Sequence, residues 1–131
     1  MTMENILDWL ETLGVAEHYY ANRLDNKKEK SLGIYDQPGT GRPVMALGGP
    51  QNSSYDIRPM SMLLHWTRNF KETETAALAL WEALQDVTDI DIPGGQHIQY
   101  LQLTVPGPVY VSTDAGGIHE YVINFNLYYR R

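Results

Sequence analysis

Ten residues near the C-terminus, Glu120 to Tyr129, constrain the fold more than any other stretch of this chain. Tyr121, Ile123, Phe125, Leu127 and Tyr129 alternate with Val122, Asn124, Asn126 and Tyr128. Period-two alternation of this length is the signature of a β-strand with one covered face, so the chain must build a sheet with a buried side. The second face mixes polar with aromatic side chains, which suits solvent or a neighbouring subunit.

A second strand reads from Pro59 onward, where Met60, Met62, Leu64 and Trp66 alternate with Ser61, Leu63, His65 and Thr67. Proline cannot donate to a ladder, so Pro59 is expected at the start of that strand, on an edge or at a bulge. Gln96 to Val105 reads as another strand, broken by Pro106-Gly107-Pro108 and continued briefly by Val109 to Ser112. Asp114-Ala115-Gly116-Gly117 has the chemistry of a turn before the final strand.

Two segments carry helical spacing. Ile6, Leu7, Leu10 and Leu13 recur every three or four residues, with Thr2 placed to cap the start and Gly14 the stop. The stronger helix runs over 70–87, with an apolar stripe of Ala77, Leu80, Trp81, Leu84 and Val87. Asn69 and Glu72 resemble a capping box at its start. His18 to Arg23 and Lys30 to Tyr35 flank Asp25-Asn26-Lys27, a pattern that predicts a hairpin. Residues 37–54 hold Pro38, Gly39, Gly41, Pro43, Gly48, Gly49 and Pro50 and read as an irregular loop. The order of elements predicts an α+β fold, a single domain over 1–131. Its expected form is an antiparallel-rich mixed sheet with the two main helices packed on one face.

Composition narrows the function. The net charge is −6, and the excess lies in the second half, where residues 71–131 carry three Lys/Arg against eight Asp/Glu. Gripping phosphates through a basic face is therefore not expected. The absence of cysteine excludes disulfides, thiol nucleophiles and cysteine-built zinc sites, and fits assembly in a reducing cytoplasm. No apolar run approaches the roughly 20 residues needed to cross a bilayer, and the first residues are acidic where a signal peptide is basic. The chain reads as soluble, with no membrane partner.

Chemistry is hard to find. His18, His65, His97 and His119 show no metal-ligand spacing, and none has an adjacent acid in a recognised motif except His119 with Glu120. Gly39-Thr40-Gly41-Arg42 lacks the Gly-Lys-Ser/Thr ending of a phosphate loop. Asp86, Asp89 and Asp91 lack the further oxygen ligands and intervening glycine of a calcium loop, and read as a solvated connection from helix to strand. The expectation is no catalytic, cofactor or metal site, and no enzyme. Nine tyrosines and three tryptophans against two phenylalanines suit interfaces as well as cores.

Several segments resemble a known family. The run Ser53-Ser54-Tyr55-Asp56-Ile57-Arg58-Pro59-Met60-Ser61-Met62-Leu63-Leu64-His65-Trp66-Thr67 is similar to proteins labelled "minor capsid protein" in phages of Gram-positive hosts. Glu72-Thr73-Glu74, Val105-Pro106-Gly107-Pro108, Asp114, Gly117 and Glu120-Tyr121-Val122-Ile123-Asn124-Phe125 extend the likeness. These resemble the tail terminator, or tail completion, proteins of long non-contractile-tailed bacteriophages. The resemblance covers Ser53 to Arg131, while residues 1–52 agree mainly in layout. It implies a tail-terminator-like virion protein that forms a homo-oligomeric, hexameric ring without catalytic residues. Such a ring would close the head-proximal end of the tail tube and mediate head–tail joining. The implied partners are the tail tube protein and the connector or neck proteins, with DNA passing through without specific binding and no membrane. Candidate contacts with a neighbouring subunit or the tail tube are Arg42, Tyr55, Arg58, Tyr128 and Arg130. The alternatives are a neck or head-completion stopper on the capsid side and a small-ligand-binding or hydrolytic domain. A deep pocket gathering His65 or His97 with carboxylates would favour the last.

Overall fold

The computed structural model describes residues 2–22, 28–37 and 55–130. Its elements, in chain order, are α1 (Met3–Thr12), β1 (His18–Ala21), β2 (Ser31–Asp36), β3 (Tyr55–His65), α2 (Phe70–Gln85), β4 (Thr88–Asp91), β5 (His97–Leu103), β6 (Val109–Thr113) and β7 (His119–Arg130). The strands form one sheet ordered β1-β2-β3-β7-β5-β4, with β6 also paired to β7. All pairs are antiparallel except β1 with β2. The fold is the α+β class that the alternation of patterns predicts.

The final strand is the spine of this sheet. β7 pairs along one side with β3, from Tyr55 opposite Arg130 to His65 opposite Glu120. On its other side, β5 covers the second half of β7 and β6 the first. The break between them falls where Pro106 and Pro108 have no N–H to give the ladder. Thr104 makes the last backbone bond on the β5 side, donating to the Asn124 carbonyl at 3.1 Å.

Register decides which face is buried. Met60, Met62 and Leu64 stand opposite Phe125, Ile123 and Tyr121, and all six are buried. Both helices close over this face. α1 contributes Ile6, Trp9 and Leu10, and α2 contributes Ala77, Leu80 and Leu84, to one continuous core. Each start is capped as its sequence requires. The Thr2 hydroxyl accepts from the Asn5 N–H at 3.1 Å while Asn5 Oδ1 accepts from the Thr2 N–H at 2.9 Å. Asn69 Oδ1 accepts from the Glu72 N–H at 3.0 Å. After α1, Gly14 takes a left-handed φ of 64°, the usual glycine stop.

Three local expectations need correction. The predicted hairpin of β1 and β2 is instead a parallel pair, with His18 beside Ser31 and Ala21 beside Ile34. A parallel pair requires the chain to reverse twice. Asn22 (φ 59°) and Lys30 (φ 53°) bend the backbone at either end of the connection, while Asp25-Asn26-Lys27 fall outside the described residues. Pro59 lies inside β3 rather than at its start. Its carbonyl accepts from the Gln37 N–H at 3.1 Å, one residue past the last β2 pair, Asp36 with Met60. The missing N–H thus faces a side where regular pairing has just ended, so a local edge was the part of that expectation that held. Finally, the Asp-rich connection after α2 is itself an edge strand, β4, paired with β5. Of the loop expected over 37–54, only Gln37 lies within the described residues.

Candidate functional site

The face of the sheet turned away from the helices carries most of the candidate contacts. Tyr55 on β3 stands opposite Arg130 on β7, and Ile57 opposite Tyr128. Tyr128 stacks on Tyr100 of β5, with ring centroids 4.3 Å apart and planes at 12°, and meets Tyr55 at 6.0 Å. Its hydroxyl donates to Gln102 Oε1 at 3.0 Å, and Asn126 Nδ2 donates to the same oxygen at 3.4 Å. Stacking and bonding on both sides fix the orientation of Tyr128. Burial, followed by the hydrogen bond with Tyr128, raises the Tyr100 hydroxyl above the ordinary tyrosine value, so this ring stays neutral at physiological pH.

Arg58 does not join this group. Its register partner is Leu127, which places it on the helix-bearing face, where Nε donates to Asp36 Oδ1 at 3.0 Å. Tyr55, Tyr128 and Arg130 therefore share one surface and Arg58 another, while Arg42 falls outside the described residues.

A second exposed surface was not singled out from sequence. Phe70 at the start of α2 and Val109, Tyr110 and Val111 on β6 are each 41–49% exposed. Phe70 meets Tyr110 edge-on at 5.3 Å and His119 at 5.4 Å, and the Tyr110 hydroxyl is 2.9 Å from His119 Nδ1. Only the lack of charge from Ile98 to Thr113 hinted at this patch.

The histidines do collect carboxylates, across strands rather than along the chain. His65 is fully buried, with Nδ1 at 3.0 Å from Glu120 Oε2 and Nε2 at 3.5 Å from Asp114 Oδ2. Asp114 caps the β6–β7 turn, its Oδ1 accepting from the Gly116 and Ile118 N–H groups at 2.8 and 3.0 Å. Burial pushes the Asp114 carboxyl up, but the Ile118 and Gly116 N–H groups, with His65 and Arg68, outweigh it and hold the group below the usual carboxylate range. On β5, His97 Nδ1 lies 2.8 Å from Asp91 Oδ1, and Nε2 lies 3.2 Å from Asp89 Oδ1. Neither histidine lines a deep pocket: His65 is sealed, and the His97 partners are 83% and 89% exposed. Among the described residues no group of three or more His, Asp or Glu side chains has metal-binding geometry.

The Asp91 hydrogen bond, then that of Asp89, raises His97 above the ordinary histidine value of about 6.5. A raised folded value means that this contact stabilises fully below that pH and is lost as pH rises through the folded value. We expect an NMR titration midpoint for His97 above the ordinary value, shifting down in Asp91→Asn. A midpoint that does not move in the variant would show that the contact is not formed.

An open groove of about 510 Å³ lies beside the start of α2. Trp66, Ala76 and Ala79 line it, with Lys30, Lys71 and Glu72 at its rim. No described helix is long and apolar enough to cross a membrane. No family model matches the chain, and no curated protein is significantly similar to it. The fold and its surfaces define a one-sheet α+β domain with two exposed aromatic faces.

Proposed function

We propose that the protein is a structural virion subunit, a ring-forming tail terminator that caps the head-proximal end of a long non-contractile phage tail and mediates head–tail joining. The observation that carries this reading is the resemblance of Ser53 to Thr67 and Glu120 to Phe125 to such proteins. Those segments contain β3 and the first part of β7, the adjacent central strands. Two exposed surfaces support it further, the Tyr55–Tyr100–Tyr128 face and the Phe70–Tyr110 patch. Exposed aromatic area of this kind marks contact sites for other proteins. The acidic balance suits a subunit bordering a DNA conduit, which must not hold phosphates.

The test is a phage with an early stop codon in this gene. The expected result is filled heads without attached tails, together with tail tubes of uncontrolled length. Purified protein added to separately made heads and tails should restore joining. Normal tails with heads that leak DNA would instead make the protein a neck stopper.

A further inference from the structure

A cyclic ring needs two different surfaces on each subunit that meet head to tail. The following inference rests on the ring reading and names those surfaces. Five strands lie level with one another in the order β1-β2-β3-β7-β6. One row crosses them as Tyr20, Gly33, Leu63, Val122 and Val109, and the next as Tyr19, Leu32, Leu64, Tyr121 and Tyr110. Both outer strands of these rows end the sheet: among the described residues no strand pairs with the far side of β1 or of β6. Folded proteins guard such edges with charge or a kink. β4 is guarded in that way, by Asp89 and Asp91 and by the left-handed φ of 48° at Asp89. β1 (His18-Tyr19-Tyr20-Ala21) and β6 (Val109-Tyr110-Val111-Ser112-Thr113) hold no Asp, Glu, Lys or Arg. All five residues of β6 are exposed, and a groove of about 410 Å³ opens beside β1, lined by Glu11, Glu17, His18, Tyr19 and Tyr20.

We infer that β6 of one copy adds to the outer edge of β1 on the next, so that the sheet continues from subunit to subunit around the ring. Strand direction permits it. β1 runs with β7, and β6 runs against both. A neighbour generated by rotation about an axis along the strands therefore brings its β6 antiparallel to β1. With the two edges level, Tyr20 stands beside the neighbour's Val109 and Tyr19 beside the neighbour's Tyr110. Each residue then keeps to its own face, because Tyr19 and Tyr110 share one row of the sheet and Tyr20 and Val109 the other. The two-fold alternatives fit less well. Pairing β1 with a second β1 would gather Glu11 and Glu17 of both copies at one contact, where like charges repel. Pairing β6 with a second β6 would leave the β1 edge and its groove bare. The uncharged β6 brings no carboxylate to that groove, and its union with β1 covers both edges through one kind of main-chain contact.

The chain has no cysteine, so introduced thiols report the contact without background. Tyr20→Cys and Val109→Cys, at a half-buried and an exposed position, are made separately and together. Four strand spacings, about 19 Å, separate the two positions within one copy, so no disulfide can form there. Under mild oxidation at high protein concentration, mixing the two single variants should give a cross-linked dimer. The double variant should give a ladder ending in a closed ring. Val111 falls at the β6 bulge without a register partner and is 48% exposed, so Val111→Asp leaves the ladder to β7 in place. Set against Glu11 and Glu17 of the neighbour, it should lower the cross-link yield about tenfold at an unchanged urea midpoint. Adding Glu17→Lys on the same chain should restore the yield. If cross-links form only between identical single variants, the contact is two-fold and the inference is overturned. A folded double variant that gives no cross-link, either free or in assembled particles, would overturn it too. Should the stop-codon phage then still lose control of tail length, the terminator reading stands without this contact. A ladder from a protein whose loss leaves tails normal would keep the contact and remove the tail role.

Discussion

Phe125→Ala is expected to lower the free energy of unfolding by about 3–5 kcal/mol, read from the urea midpoint at unchanged slope. Phe125 is completely buried at the centre of β7, opposite Met60 on β3 and Leu103 on β5. Truncating it leaves a cavity that neither neighbouring strand can close, because both are held by ladder hydrogen bonds. Against a total stability of about 5–15 kcal/mol, one such loss brings a domain of this size close to unfolding. Asn124, one residue away on the opposite face, is the internal control. Asn124→Ala should cost about 0.5 kcal/mol or less. A slip of one residue in the β3–β7 register would exchange the two faces. An Asn124→Ala penalty larger than that of Phe125→Ala would therefore overturn the register, and with it the placement of the tyrosine face.

The alternation that fixes this register was legible because one face of β7 is covered along its whole length. The same holds for Met60, Met62 and Leu64, and for the stripe Ala77, Leu80 and Leu84 on α2. Where burial is less one-sided the sequence says less. All four residues of β1 are half-buried, so nothing in their pattern distinguishes a parallel from an antiparallel partner. The turn-like residues between β1 and β2 then suggested the commoner hairpin. β4 is a related case. Three of its four residues are exposed, and its aspartates read as a loop because charge on an edge strand and charge in a connection look alike in sequence.

The surfaces were legible only in part. Tyr128 and Tyr55 could be singled out by residue type, but their meeting depends on the pairing of β3 with β7, which periodicity does not reveal. Tyr100, the stacking partner, lies in a segment whose register shifts by a bulge between Ile98 and Tyr100. That irregularity is what brings its ring against Tyr128 on the open face, so no regular alternation announced it. Arg58 shows the converse. It sits three positions from Tyr55 in the chain and on the other side of the sheet. The carboxylate partners of His65 are 49 and 55 residues away in sequence, beyond any motif spacing.

His65→Ala should be the second costly change, at about 3–5 kcal/mol, because it removes the partner of two carboxylates that are themselves mostly buried. The side chains of Asp114 and Glu120 are only 14% and 16% exposed, so water cannot replace the lost contacts fully. His65 also joins the end of β3 to the β6–β7 turn, where Arg68 Nε donates to the Gly116 carbonyl at 2.9 Å. Loosening there should raise amide exchange at Gly116 and Ile118 before the rest of the sheet. Pairing His65→Leu with Glu120→Leu should recover part of the loss, since it removes a stranded charge along with its partner. The pH dependence separates charge from packing. Asp114 is held below the ordinary carboxylate range, so its stabilisation is complete above about pH 3.9 and is lost as pH falls through the lowered value. Once the Asp114 carboxyl is protonated, His65→Ala strands one charge fewer there, and its deficit relative to the wild type should shrink. A deficit equal at pH 6 and at about pH 2.5 would mean that His65 stabilises the fold by filling space alone.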